Sequence, residues 1–377
     1  MEQYVVKNQK KLRRGVTTGS CAAAAAEAAA RLLLTGRAPS AILLPVPAGE
    51  TLALTPEEAA LLEGAASCAV RKDAGDDPDV TDGIRIFARV EKRPHGTAIQ
   101  GGAGVGRVTK PGLSLPVGES AITPGPRAQI EAAVRRAAAE NGYGGGFLVT
   151  ISAENGAEIA LRTYNPHLGI VGGISILGTS GIVEPMSEAA LMETTHLELK
   201  SVYEQGARVA LLCPGNYGAD FAREALGLDL SRAVKCSNFI GDALDHAAYL
   251  GFPEILLIGH VGKLVKLAAG VMNTHSAVAD GRREVFTANA ALCGAPLPVL
   301  EALMAAVSTD ACIEILDAAG LREPVLARVG LAVEEQLSRR LAGKARGEYM
   351  MFSSRHGLLA RSPGAVALVQ KLKETAG

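Results

Sequence analysis

Apolar and polar positions alternate with period two at residues 84–91. Shorter apolar runs at 41–46, 51–54 and 65–71 also predict strands. The run CAAAAAEAAARLLL after Ser20 predicts a helix, because alanine is the best helix former and Thr18 or Ser20 supplies a cap. A second helix is predicted for AQIEAAVRRAAAEN, stopped by the glycines at 142–146, with strands at 147–153 and 158–163 after it. Residues 1–163 thus predict one α+β domain.

From residue 164 the pattern changes to alternating strand, loop and helix. A strand-loop at 165–186 precedes a helix at 187–205. Strands at 207–213, 233–236 and 254–258 are each followed by a glycine-bearing polar loop and a helix. Such units predict a parallel sheet with right-handed crossovers, an α/β domain over 164–377. Its ligand site belongs at the carboxyl ends of the strands. Helices are expected near 284–292, 297–307, 310–319 and 324–342, and EYMMFSSRHGLLARS suits one extra strand.

The stretch 165–188 carries glycines at Gly169, Gly172, Gly173, Gly178 and Gly181, with Thr179 and Ser180 between the last two. It reads as strand, tight loop and helix, which presents backbone N–H groups to a ligand. A buried strand with glycines for close packing explains the same pattern. Further polar loops sit at the expected strand ends: Asn216 and Tyr217; Ser237, Asn238 and Asp242; His260 and Lys263; then Asn273, Thr274 and His275. Helix caps use the same residue types.

Charge balances at 38 Lys+Arg against 39 Asp+Glu, and Trp is absent, which disfavours nucleic acid as a partner. Mean hydropathy is +0.19, yet no apolar run approaches the roughly 20 residues a membrane span needs. Six cysteines lack any C-x-x-C pair, and the basic N-terminus lacks an apolar core, so a soluble cytoplasmic chain with reduced thiols is expected. A homo-oligomer stays open.

The carboxylates of KDAGDDPDVTDG lack EF-hand spacing and suit turns, with Asp79 or Asp82 as ligand-facing alternatives. No H-E-x-x-H, G-x-S-x-G or Walker A pattern occurs, and no protein-bound metal is expected. GGAGVGRVTKPG misses the strict dinucleotide fingerprint, because Arg107 stands where its last glycine belongs. Arg13 and Arg14 flank the capped loop at Thr17, Thr18 and Ser20, where an anion site and an ordinary capped helix are both readable.

Together RRGVTTGSCAAAAAEAA, KDAGDDPDVTDG, GGAGVGRVTKPGL, NPHLGIVGGISILGTSGIVEPMSE, CPGNYG, SNFIGDAL and GHVGKLVKLAAGVMNTHS resemble the CbiD family. The order is kept from Arg13 to Ser276. Ser20 stands where threonine is expected, Asp82 where histidine is usual, and ITPGPR replaces a more usual INPVPR. The resemblance implies S-adenosylmethionine-dependent methylation of carbon 1 of cobalt-precorrin-5B, giving cobalt-precorrin-6A in the anaerobic route to cobalamin. It also implies a first domain of the ribosomal-S5-domain-2 type, a Rossmann-like second domain, and cobalt carried by the tetrapyrrole substrate. Donor contacts are then expected from Gly172, Gly173, Gly178, Thr179, Ser180, Gly181, Asn216, Tyr217, Asn238 and Asp242. Macrocycle contacts are expected from Arg13, Arg14, Thr17, Thr18, Ser20, Asp79, Lys110, Arg127, Lys263, Asn273 and His275, with His260 as the acid–base candidate. An NAD(P)-dependent corrin reductase is the alternative.

Overall fold

The structure, a computed structural model, describes residues 4–7, 9–166 and 168–374. His167 of the glycine-rich stretch lies outside the described residues. Two compact units divide the chain, Met1–Glu188 and Ala189–Gly377. Both mix helices with strands.

In the first unit a five-stranded sheet runs in the order Pro56–Leu62, Ala65–Arg71, Arg85–Arg93, Gly146–Ala153, Thr97–Gly101. Only the pair between Gly146–Ala153 and Thr97–Gly101 is parallel. The alanine helix Thr18–Thr35 packs against this sheet and against the helix Pro124–Glu140. Its alanines from Ala22 to Ala30 are fully buried, because a methyl is all that two close neighbours leave room for. Glu27 is buried among them and is answered by Arg31 and Arg136. An unpaired carboxylate there would be costly.

The second unit holds a five-stranded sheet ordered Ala233–Lys235, Val209–Cys213, Glu254–His260, Arg346–Ser353, Gly357–Arg361. Three of its pairings are parallel, and the last is antiparallel. The parallel order follows from the strand–loop–helix alternation, since parallel neighbours need a crossover. The helices Glu188–Glu204, Asn216–Glu224, Ile240–Leu250 and Val261–Leu267 flank these strands in sequence. The EYMMF segment supplies two strands where one was expected.

Two expectations are corrected. Residues 158–163 are not a strand: Asn155 turns to φ +50 and the short helix Gly156–Ala160 begins. Gly156 presses on Gly104 there, with an added Cβ 2.1 Å from its carbonyl oxygen. The boundary expected at 163/164 lies instead at 188/189. Residues 165–188 pair with the first unit: Ile170–Val171 joins Arg107–Val108, and Ile182–Val183 joins Gly15–Val16.

Candidate functional site

In the first unit, the glycine-rich stretch and the start of the alanine helix are built into one another. Thr17 caps the helix by accepting from the Ser20 amide at 3.2 Å. The Thr18 hydroxyl donates to the Leu177 carbonyl at 3.1 Å and accepts from the Leu177 amide at 3.0 Å. Ser20 Oγ donates to the Gly181 carbonyl at 2.8 Å. A Cβ on Gly178, whose φ is +136, would lie 2.4 Å from Thr17 Oγ1. One on Gly181 would lie 2.6 Å from the Val46 side chain, and one on Gly173 would lie 2.3 Å from the Gly104 carbonyl oxygen.

Thr17, Thr18, Ser20, Gly173 and Gly181 are therefore buried parts of the packing rather than an open ligand surface. Gly172, Thr179 and Ser180 stay exposed, although Ser180 Oγ is engaged with Ile182. The GGAGVG loop is packing as well: Gly106 lies against the Gly173 carbonyl, and Val105 bridges Ile174.

The acidic loop is also satisfied from within. Lys72, 2% exposed, donates to Asp79 Oδ2 at 2.7 Å, while Thr81 donates to Oδ1. Burial alone would raise the Asp79 carboxyl, but Lys72 and Thr81 hold it below its ordinary value. Asp82 accepts from the Ala74 amide. Arg13 forms a two-pronged pair with Asp73, and Arg14 meets Glu50 at 2.8 Å. Arg127 donates to the carbonyls of Ile122 and Ile99 and to Glu119. These groups have their hydrogen bonds inside the unit, so turn and frame chemistry accounts for them. Lys110 lies under Gly169, its stem covered by the backbone.

The second unit brings its predicted residues together at the carboxyl ends of the parallel strands. Lys263 Nζ donates to the Ser237 carbonyl at 3.1 Å and lies 3.7 Å from where a Cβ on Gly215 would stand. Gly215 takes φ +100, and no side chain caps the helix Asn216–Glu224 that begins after it. Lys235 Nζ donates to Asn216 Oδ1 at 3.1 Å. Tyr217 is exposed, with its ring 6.3 Å from that of His260. Asn238 accepts from the Thr274 amide at 2.9 Å, and Phe239 bridges Asn273. Asn273 Oδ1 accepts from the His275 amide.

His260 caps the helix Val261–Leu267, its Nδ1 accepting from the Gly262 amide at 3.1 Å. Burial lowers its pKa, against the opposing charge of Asp310, so the neutral ring is favoured and Nε2 is left for other work. Burial also lowers the Lys263 ammonium. Lys266 is buried and donates to the Thr274 and Ala279 carbonyls, a fastening for the 273–279 turn. Asp242 meets His196 Nε2 at 2.7 Å through Oδ2. His196, Lys235 and Glu198 were missed from sequence. Burial pushes the Glu198 carboxyl up to about 7, against a backbone hydrogen bond and the charge of Lys235. Mid-helix residues such as Glu198 give no local signal of what another element brings to them.

Two family models match the chain: CbiD over residues 5–185, and CbiD, C-terminal domain, over 273–363. A relative from Ruminiclostridium cellulolyticum, named Cobalt-precorrin-5B C(1)-methyltransferase, is 48% identical over 99% of this chain and 98% of its own. One of the same name from Alkaliphilus metalliredigens is 41% identical over 99% and 98%. A crystal structure titled as a cobalamin biosynthesis protein (CbiD) from Archaeoglobus fulgidus is 30% identical, covers 75% of this chain and 88% of that one, and has a TM-score of 0.40. The class so defined is a methyltransferase. The chain belongs to the CbiD family.

Proposed function

We propose that the protein methylates carbon 1 of cobalt-precorrin-5B with S-adenosylmethionine as donor, in the cytoplasm. The observation that carries this is the 48% identity, over nearly the whole of both chains, to a relative named for that reaction. The reductase alternative is not favoured, since the relatives carry a methyltransferase name. Further, we read the second unit as Rossmann-like, with the donor at the carboxyl edge of its parallel strands. The first unit is read as of the ribosomal-S5-domain-2 type.

The residues at that edge fit such a donor. Bare amides at the uncapped start of the helix Asn216–Glu224 suit a carboxylate, and Gly215 lets it approach the backbone. Asp242, a third exposed, suits ribose hydroxyls through the oxygen that His196 leaves open. The bound donor supplies an electrophilic sulfonium methyl. The chain's residues then align the reactants and exclude water; a cation is consumed as a neutral thioether forms, so no oxyanion needs stabilising. Lys263, with Asn273 and His275 nearby in sequence, is assigned to the acidic side chains of the macrocycle. Its lowered pKa reflects burial that a carboxylate partner would offset. His260 Nε2 is the available acid–base atom.

Calorimetry tests the donor assignment: S-adenosylmethionine should bind and NADPH should not. NADPH binding without S-adenosylmethionine binding would overturn it. Replacing Lys263 with alanine should weaken macrocycle binding roughly tenfold and leave donor affinity nearly unchanged. The reverse pattern would move the two subsites.

A further inference from the structure

A groove of about 870 Å³ opens between the first half of the helix Arg322–Leu341 and the last strand of the second sheet, Gly357–Arg361. It is not part of the strand-end cluster. Tyr349 on its wall pairs with Leu257, three residues before the His260–Phe352 pair, or roughly 10 Å back along the strand.

Three features are those of a binding site. Tyr349 is 1% exposed, and its hydroxyl has no hydrogen-bond partner among the described residues. That hydroxyl reaches the groove only because Gly330 has no side chain; a Cβ there would lie 2.4 Å from it. The hydroxyl opens onto the groove rather than being sealed in protein, so its donor is free for an acceptor that enters there. Leu326, Leu331 and Leu358 give the groove apolar walls, and Leu331 and Leu358 are 65% and 41% exposed. Arg361 on its rim has no ion-pair partner among the described residues, whereas Arg322 is held by Asp317. The size falls within the ordinary range of small-molecule sites.

We propose that this groove binds an amphipathic monoanion: an apolar body against the three leucines, an acidic group at Arg361 and an acceptor on the Tyr349 hydroxyl. A polycarboxylate macrocycle does not suit it: with Asp317 and Arg322 paired, Arg361 alone among the described residues of the groove is left to answer one acidic group, and Glu323 and Glu334 on the walls would repel further acidic arms. Glu334 raises the Tyr349 pKa beyond the effect of burial, so the phenol keeps its proton and stays a donor. The site is thus separate from that of the methylated substrate.

The test uses 8-anilinonaphthalene-1-sulfonate, a fluorescent aromatic monoanion, with the folded full chain. One saturable site per chain is expected. Ala327→Trp fills the groove from an exposed helix position and should cut affinity more than tenfold. Arg361→Glu, at an exposed rim position, and Tyr349→Phe should each weaken binding roughly three- to tenfold. Uroporphyrin, a polycarboxylate macrocycle, should not displace the dye. No saturable binding, wild-type affinity in both Ala327→Trp and Arg361→Glu, or displacement by uroporphyrin would each overturn the proposal. Methyl transfer is not the readout, so either outcome stands apart from the proposed reaction.

Discussion

Gly178 ties the glycine-rich stretch to the helix it packs on. Its φ of +136 is strained for any residue with a side chain, and Thr17 occupies the space a Cβ would take. Gly178→Val should therefore destabilise the first unit itself, by roughly 2–4 kcal/mol in urea unfolding. From sequence, with Gly178 read as a donor contact, the expectation is that this exchange abolishes donor binding and leaves the N-terminal domain folded. Unchanged stability would restore it. Glu198 gives a prediction of another kind. Its folded carboxyl, near 7, holds its proton more tightly than an unfolded one near 4.5. Its contribution is full below about pH 4.5 and falls as pH rises through about 7, by roughly 1–3 kcal/mol. Glu198→Gln should flatten that part of the stability profile; an unaltered slope would show that another group titrates there. Single residues were the least legible scale. Thr17, Ser20 and His260 have the types that serve ligands, yet their first partners are backbone amides and carbonyls of the fold.

Elements were legible where hydrophobic period and glycine punctuation agreed. The helices Arg282–Leu292, Leu297–Ala305, Thr309–Ala318 and Arg322–Leu341 and the strands Val209–Cys213 and Glu254–His260 lie close to where the pattern predicted them. The stretch 165–188 was read as opening the second domain because the strands after it alternate with helices. Its own strands are two residues long and pair backwards, a long-range choice that no local pattern carries. The cap of the alanine helix offers a check on this assembly. Thr17→Ala should cost about 1–2 kcal/mol, the usual loss of a cap. A larger loss is expected for Ser20→Ala combined with Thr17→Ala, because both side chains also hold the glycine-rich stretch. Strict additivity at cap-sized values would argue against that coupling.

At the scale of the whole chain, two compact units and full-length relatives identify a CbiD-family methyltransferase, while the chemistry assigned to its strand-end loops is a proposal. The parallel sheet was legible because crossovers leave a repeating trace in sequence. The convergence of Gly215, Asn216, Asn238, His260 and Lys263 followed from it, since parallel strands put their following loops on one edge. The groove beside Tyr349 was not legible, because a helix and a strand that are apart in sequence form it. The central claim is methyl transfer to the macrocycle. The purified protein should be incubated with cobalt-precorrin-5B and S-adenosylmethionine carrying a labelled methyl, and the product weighed. A gain of one labelled methyl at carbon 1 is predicted; a product of unchanged mass, or one methylated without the label, would contradict the account.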